Sequence, residues 1–289
     1  MALSIVVFSD IHGNHAAFEE CLHYILPRRI HTFIFLGDYL GEFPYPQKTM
    51  EMLYALQEKY TCFFIRGNKE DYWISRRNDA DCRWKYGNQT VGAMQYCYEN
   101  LRERDIDFFQ SLPAAHKICF ENSSAILACH GSPERNNEKM LPGNDQTRQR
   151  MEECACKYIL CGHTHLQGTI EYGGRTVFNP GSVGAALHSG GKAQFMVLHQ
   201  EGQEWTPEFI SLDYDKERIM QEMQESGLEK AAPCWTRITK HLILTGEISP
   251  GTVLARAMTL CEQEQGECDW YNVPDRYWEM ALGEIREIQ

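Results

Sequence analysis

Five apolar segments of this chain each end in a short polar group that contains or adjoins a glycine. The polar residues form the groups Asp10-x-His12, Gly37-Asp38, Gly67-Asn68, His130-Gly131 and Gly162-His163-Thr164-His165. In open α/β sheets, ligands bind beyond the carboxyl ends of the strands, where such residues come together. The pattern therefore predicts one polar site at the rim of a sheet.

The order of the apolar segments predicts the fold. Strands are expected at 3–8, 32–36 and 61–65, separated by segments whose apolar residues recur at helical spacing. This alternation predicts parallel strands joined by right-handed crossovers. Further strands are expected at 116–120, 124–129, 158–161, 169–172, 176–178, 194–199 and 208–212. Because few helices separate these later strands, we expect a second sheet stacked on the first, in an α/β (α+β) chain.

Two parts are expected to make up the chain. Residues 1–212 are predicted to form the main domain, with a helical insert at about 70–113. Residues 213–289 are predicted to form an acidic, mainly helical C-terminal extension, since the last 79 residues contain 15 acidic and 8 basic side chains. The sequence leaves open whether this extension covers the main domain or forms a contact in a homo-oligomer.

Charge and hydropathy exclude two classes of function. The formal charge is -12, from 28 basic and 40 acidic residues, which argues against extensive binding of duplex nucleic acid. A small phosphate substrate is not excluded, because bound cations can supply positive charge. No apolar run approaches the ~18 residues of a membrane span and no secretory leader is recognisable. We expect no membrane partner and a cytoplasmic location, with the twelve cysteines reduced.

The residue types at the predicted rim suit divalent ions. Two Asp, one Asn and four His form a mixed nitrogen and oxygen set that suits borderline metals. Seven ligands are too many for one ion with an open position, but they suit two ions that share a bridging carboxylate. We expect two divalent ions, with Mn²⁺ as the first choice and Fe, Zn, Ni or Co as alternatives.

These motifs resemble those of the calcineurin-like metallophosphoesterase superfamily. In addition, Asn179-Pro180-Gly181-Ser182-Val183-Gly184 is similar to the small bacterial and archaeal phosphodiesterase branch. The resemblance covers about residues 3–212 and implies a four-layer αββα sandwich of two stacked mixed sheets.

By motif, the resemblance also implies the role of each residue. Asp10, His12 and His165 would hold one ion, Asn68, His130 and His163 would hold the second, and Asp38 would bridge them. A hydroxide between the ions would attack phosphorus in line. Asn14 is expected near the phosphate or in support of a ligand.

The chain departs from the superfamily at one position. Many members carry Gly-Asn-His followed by an acid, where this chain has Gly67-Asn68-Lys69-Glu70. Lys69, with a reference pKa near ~10.4, is a poor general acid at neutral pH. It would either offer charge to a phosphate oxygen or be a solvated lysine beside the cleft. His188, in the loop 185–191, is a candidate for the missing acid, with a surface histidine as the alternative.

The segment 72–86 interleaves aromatic and basic residues. Its rings are Tyr72, Trp73, Trp84 and Tyr86, and its cations are Arg76, Arg77, Arg83 and Lys85. Such a combination can hold a nucleotide, with a guanidinium on phosphate and a ring on the base. The alternative is a helical cap with solvated charges.

The expected activity is dinuclear metal-dependent hydrolysis of phosphoesters, with phosphodiesters preferred and a small phosphoester or nucleotide as substrate. The alternatives are a phosphomonoesterase or a dinucleoside-polyphosphate hydrolase with the same centre, and a non-catalytic scaffold. All seven ligand positions are filled, which favours an enzyme over the scaffold.

Overall fold

Two five-stranded sheets stack face to face in the computed structural model, which describes residues 3–79, 83–84 and 87–285. In chain order the strands are β1 (Ser4–Phe8), β2 (Thr32–Phe35), β3 (Thr61–Phe64), β4 (Ala115–Ile118), β5 (Ile126–Cys129), β6 (Tyr158–Leu160), β7 (Gly168–Tyr172), β8 (Arg175–Asn179), β9 (Ala193–Glu201) and β10 (Glu204–Leu212). The first sheet has the order β10-β9-β1-β2-β3, and the second has the order β4-β5-β6-β8-β7.

Both sheets are mixed. In the first, β1, β2 and β3 are parallel, with Val6 opposite Phe33, while β9 runs antiparallel to β1. In the second, β5, β6 and β8 are parallel, and the edge strands β4 and β7 are antiparallel to their neighbours. The parallel strands β1, β2, β3, β5 and β6 carry the predicted polar residues beyond their carboxyl ends.

Helices cover the outer faces of the sheets. They are α1 (His15–Ile25), α2 (Pro46–Lys59), α3 (Asn68–Asn78), α4 (Gly92–Glu99), α5 (Glu103–Ser111), α6 (Asp145–Glu153), α7 (Lys216–Glu225), α8 (Leu228–Ala231), α9 (Pro233–Thr245), α10 (Pro250–Gln265) and α11 (Asp275–Glu284). Helix α6 was not predicted, because its sequence is strongly polar and only Thr147 and Met151 are buried, too few to show a periodic pattern.

Alternate residues of β1 show how the layers are built. Val6 and Phe8 belong to the core between the first sheet and helices α1 and α2, whereas Ile5 and Val7 belong to the core between the sheets. A third core joins the outer face of the second sheet to α6 through Met151. The order of layers is helix, sheet, sheet, helix, which confirms the expected sandwich.

The C-terminal segment packs onto the main domain. Helices α7 to α11 follow β10, and Glu222 of α7 forms an ion pair with Lys48 of α2 at 2.8 Å. Arg218 lies 2.7 Å from Glu19 of α1. The extension is therefore tied to the same helices that cover the first sheet. None of the described helices combines the length and apolar character that a bilayer crossing requires.

Candidate metal centre

Five of the seven predicted ligands have a left-handed backbone. Their φ angles are 53° at Asp10, 54° at His12, 52° at Asp38, 63° at His163 and 58° at His165. This conformation is uncommon for residues other than glycine and costs about 1–3 kcal/mol at each position. Surrounding structure must therefore impose it, and it turns each side chain sharply out of its strand towards a common centre.

Close backbone contacts hold these turns. A Cβ on Gly37 would lie 2.5 Å from the backbone nitrogen of Gly67, so the loops after β2 and β3 meet where only glycine fits. The buried carboxylate of Glu70 joins them, accepting hydrogen bonds from the backbone N–H groups of Asp38, Tyr39 and Gly67 at 2.8–3.0 Å.

The turn at 179–184 braces the loop after β1. Ser182 Oγ donates to the carbonyl of Asp10 at 2.7 Å, and the backbone nitrogen of Gly184 donates to the same oxygen at 3.0 Å. Asn179 Nδ2 donates to the carbonyl of Gly162 at 2.9 Å. The turn at 179–184 therefore connects the loop after β1 in the first sheet with the loop after β6 in the second, although these loops are far apart in the sequence.

The ligand atoms gather in two groups. Those of Asp10, His12 and His165 lie within 4.8 Å of one another, and so do those of Asp38, His130 and His163. The amide oxygen of Asn68 adds to the second group, at 3.1 Å from His130 Nε2. The structure thus brings all seven predicted side chains together, and Asp38, which the resemblance implied as a bridge, lies with the second group.

Asp38 faces both groups. Its Oδ1 lies 3.3 Å from Nε2 of His130 in the second group, and its Oδ2 lies 3.8 Å from Nε2 of His12 in the first. The backbone N–H of Lys69 also donates to Oδ1 at 2.9 Å. One carboxylate therefore presents an oxygen to each set of nitrogen ligands, which is the arrangement a bridging ligand needs.

Hydrogen bonds orient the histidine rings. Nδ1 of His130 lies 2.8 Å from the carbonyl of Leu36, and Nδ1 of His165 lies 2.7 Å from the carbonyl of Ala185. Because a carbonyl oxygen can only accept, each Nδ1 must carry the proton, and Nε2 faces the centre. This is how proteins orient histidines that bind metals.

The donor set fits two divalent cations. Asp10 Oδ1 is buried and has no hydrogen-bond partner among the described residues, although it lies 3.2 Å from Nε2 of His165. Burial opposes the ionisation of Asp10, but His165 and His130 hold the pKa of this carboxyl well below its usual range. A buried, ionised oxygen without a hydrogen-bond donor is energetically unfavourable, and a bound cation would remove this cost by coordinating the oxygen.

The histidines differ in their protonation. Burial acts to lower the pKa of His12, but hydrogen bonds to Asp10 and Glu42 outweigh it and raise the pKa to about 10. Burial also acts to lower the pKa of His130, but the charges of Asp38 and Asp10 outweigh it and raise the pKa to about 9. Burial and the charge of His130 lower the pKa of His163 to about 4.

A buried acid that the sequence analysis missed supports His12. Glu42 Oε2 lies 3.0 Å from His12 Nδ1, and Oε1 forms an ion pair with Lys69 Nζ. Burial would raise the pKa of Glu42, but Lys69 and His12 lower it below its usual range. The only sequence signal was an acid in the otherwise apolar and aromatic stretch after Asp38, and that signal does not specify a partner.

Lys69 is not the solvated lysine that the sequence left as an alternative. Its side chain is 13% exposed, paired with Glu42, and its Nζ lies 5.9 Å from the ring centre of Trp235. Burial acts to lower its pKa, but Glu42 and Asp38 raise it above its usual range. Lys69 therefore stays protonated, with its charge balanced by a neighbouring carboxylate.

Two other predicted site residues, His188 and Asn14, form hydrogen bonds or ion pairs away from the ligand groups. His188 is 70% exposed and pairs with Glu247 at 3.1 Å, so its side chain has the surface environment of the alternative interpretation. Asn14 is buried: its Oδ1 accepts from the backbone of Ala17 at 3.1 Å and its Nδ2 donates to the carbonyl of Gly184 at 3.1 Å. Asn14 supports the loops and has little bonding capacity left for a substrate.

The structure does not bring the three arginines to the ligand groups. Arg77 pairs with Asp107 at 2.6 Å, Arg83 pairs with Asp269, and Arg76 donates to a carbonyl of its own helix end at 3.3 Å. None of them lines the cavity over the ligands. The cap interpretation fits these contacts better than nucleotide binding. Lys85 and Tyr86, which belonged to the same prediction, lie outside the described residues.

Comparison with known proteins agrees with this geometry. The sequence is 23% identical over 241 residues to an uncharacterized protein of Methanocaldococcus jannaschii, covering 78% of this chain and 93% of that one. The fold matches that of a hypothetical protein from Pyrococcus horikoshii, with a TM-score of 0.73, 20% identity, and coverage of 86% of this chain and all of that one. It also matches a metallophosphoesterase from Sphaerobacter thermophilus, with a TM-score of 0.63, 19% identity, and coverage of 85% and 100%.

The sequence model of the calcineurin-like phosphoesterase superfamily domain matches residues 3–203, well over half of the chain. The chain therefore belongs to the calcineurin-like phosphoesterase superfamily.

Proposed function

We propose that this protein hydrolyses phosphoesters, with phosphodiesters preferred, when two divalent cations occupy the two ligand groups. The observation that carries this proposal is the position of Asp38, whose two oxygens face His130 and His12 at 3.3 and 3.8 Å. Asp10, His12 and His165 would hold one cation, and Asn68, His130 and His163 the other, with Mn²⁺ as the first candidate.

The bound cations would supply an activated water and positive charge for an in-line displacement at phosphorus. The chain supplies orientation. Hydrogen bonds from Nδ1 hold the rings of His12, His130 and His165, and Glu70 holds the loop that carries Asp38. Preorganised ligands lower the cost of reorganisation during the reaction.

The charge near the site supports a diester over a monoester. Lys69 is already balanced by Glu42, and Lys139 is the other lysine among the described residues that line the cavity. A phosphodiester carries one negative charge, whereas a monoester carries nearly two at neutral pH. Because the raised pKa of Lys69 makes it a poor proton donor and His188 does not line the cavity, we also propose a preference for esters with good leaving groups.

The cysteines support a reducing compartment. All eleven described cysteines are unpaired, and most are buried in apolar surroundings. We therefore propose a cytoplasmic location, where thiols stay reduced.

The test compares Asp38→Asn with Asp213→Asn, a matched change at a side chain that is 74% exposed. Each protein is stripped with a chelator, reloaded with Mn²⁺, and analysed for bound metal and for hydrolysis of bis(p-nitrophenyl) phosphate, p-nitrophenyl phosphate and diadenosine tetraphosphate. We expect about two ions per chain in the wild type and the D213N variant, with the diester preferred, and loss of metal and activity in D38N. A wild type that binds no metal and hydrolyses none of the three would contradict the proposal and favour a scaffold.

A further inference from the structure

The cavity over the ligand groups has two walls from distant parts of the chain. Its volume is about 250 Å³, and one side is formed by His12, His163 and His165. The C-terminal extension supplies another part of the lining, through Trp235, Thr239 and Leu242 of α9 and Ser249, Pro250 and Gly251 around the start of α10. The extension therefore borders the space in which a substrate would lie.

The wall from the extension is mainly apolar. Leu242 is 2% exposed, and the Trp235 ring packs edge-on against the buried Trp278 ring with centroids 6.1 Å apart. From the main domain, Phe43 and Leu187 complete the apolar lining. Two described lysines line this cavity: Lys69, which is already paired with Glu42, and the exposed Lys139. A neutral ester group forms no ion pair with either lysine, so its recognition depends chiefly on the apolar lining.

Backbone contacts fix the position of this wall. A Cβ on Gly92 would lie 1.9 Å from the carbonyl oxygen of Ala231, just before α9 begins. A Cβ on Gly191 would lie 2.4 Å from the carbonyl oxygen of Ile243, near the end of α9. Helix α9 is thus held closely at both ends, so Trp235 has a set place in the lining that it shares with the ligand histidines.

We propose that the C-terminal extension determines substrate specificity, and that Trp235 packs against an aromatic or bulky apolar ester group of the substrate. This inference rests on the proposed phosphoesterase function. An aromatic group packed against Trp235 gains from burial and from ring contact. A methyl ester in the same place covers far less of this wall. The protein should therefore favour aryl over small alkyl esters of phosphate.

The test uses two diesters with the same leaving group, p-nitrophenyl phenyl phosphate and methyl p-nitrophenyl phosphate. In the Mn²⁺-loaded wild type we expect kcat/KM to favour the phenyl ester by ~10-fold or more, the range that apolar pockets provide. In Trp235→Ala this ratio should fall by ~10-fold, while Trp235→Phe keeps most of it. Leu244→Ala, on the same helix but 51% exposed, should leave the ratio unchanged.

A binding measurement separates contact from chemistry. Calorimetric titration of the Mn²⁺-loaded protein with phenylphosphonate and methylphosphonate should show the same preference and the same loss in W235A, in protein whose thermal unfolding confirms that it is folded. A wild-type ratio near one, or a ratio that W235A leaves intact, would overturn the role of Trp235 while hydrolysis itself still supports the proposed function. If neither diester is hydrolysed and neither phosphonate binds, the proposed function fails and this inference fails with it.

Discussion

Glu42 connects a predicted metal ligand to the lysine that replaces a common superfamily histidine. Its carboxylate contacts His12 Nδ1 at 3.0 Å and Lys69 Nζ at the same time. The change Glu42→Gln keeps the shape of the side chain and removes its charge. The amide oxygen can still accept a hydrogen bond from His12, but Lys69 is left as a cation without its carboxylate.

The burial of these side chains sets the size of the effect. The exposed fractions are 6% for His12, 10% for Glu42 and 13% for Lys69, so water replaces the lost partner poorly. Removing one member of a buried ion pair costs roughly 3–5 kcal/mol. We expect E42Q to lower the free energy of unfolding by about 3 kcal/mol, and to weaken metal binding by ~10-fold, because the orientation of His12 is only partly kept.

A double-mutant cycle separates the two effects. Lys69→Met removes the ammonium group and leaves Glu42 bonded to His12, so it should cost about 1 kcal/mol. The double variant E42Q/K69M should regain most of the stability lost in E42Q, because no buried cation remains. Its metal affinity should stay low. Chemical denaturation of the metal-free proteins gives the stabilities, and calorimetric titration with Mn²⁺ gives the affinities.

The control is Glu247→Gln, which changes a similar histidine–glutamate pair on the surface. His188 and Glu247 are 70% and 48% exposed, so this change should cost no more than about 0.5 kcal/mol. If the two single changes at Glu42 and Lys69 add within about 0.5 kcal/mol in the double variant, the coupling inferred from the structure is wrong.

Three further predictions test other parts of the structure. Gly92→Ala places a methyl group 1.9 Å from the carbonyl oxygen of Ala231 and should lower stability by about 1–3 kcal/mol in a denaturation experiment. The control Gly283→Ala lies in α11, where the added Cβ would meet no atom within 4 Å among the described residues beyond the backbone of its own helix; it should be neutral or stabilising, and equal losses in both would refute the close contact. Because the pKa of His12 is raised to about 10 without metal, Mn²⁺ must displace a proton at neutral pH, so affinity should rise with pH between about 7 and 10. Titrations in buffers of different ionisation enthalpy measure that release, and affinity independent of pH would contradict it. Glu70→Gln replaces one of the two accepting oxygens by an NH2 group, so at least one of the three backbone N–H groups loses its acceptor; this should cost about 1–3 kcal/mol, whereas no loss would show that these bonds contribute little.

The amino-acid sequence alone was sufficient to predict the two-sheet fold and the place where polar residues meet. The reason is local: β1, β2, β5 and β6 are short apolar runs, and each is followed by a polar residue in a tight turn. Once such strands pair in parallel, the carboxyl ends within one sheet must lie at one rim. Strand order therefore gathers the side chains of each sheet, whereas the meeting of the two rims and the left-handed backbone at residues such as Asp38 became visible only in the structure.

The residues that surround this rim depend on how the helices pack against the sheets. The periodic spacing of apolar residues predicts a helix but does not specify where it packs. The sequence placed Lys69 beside the cleft, but only the tertiary structure shows that Glu42 neutralises it. The arginines of the helical insert looked suited to a nucleotide, yet Arg77 and Arg83 pair with acids away from the cavity. The sequence around Trp235 gives no indication that this residue lines the same cavity as His12, which lies more than 200 positions earlier. Their approach results from the docking of α9 against the main domain, a sum of many long-range contacts that only the folded chain specifies.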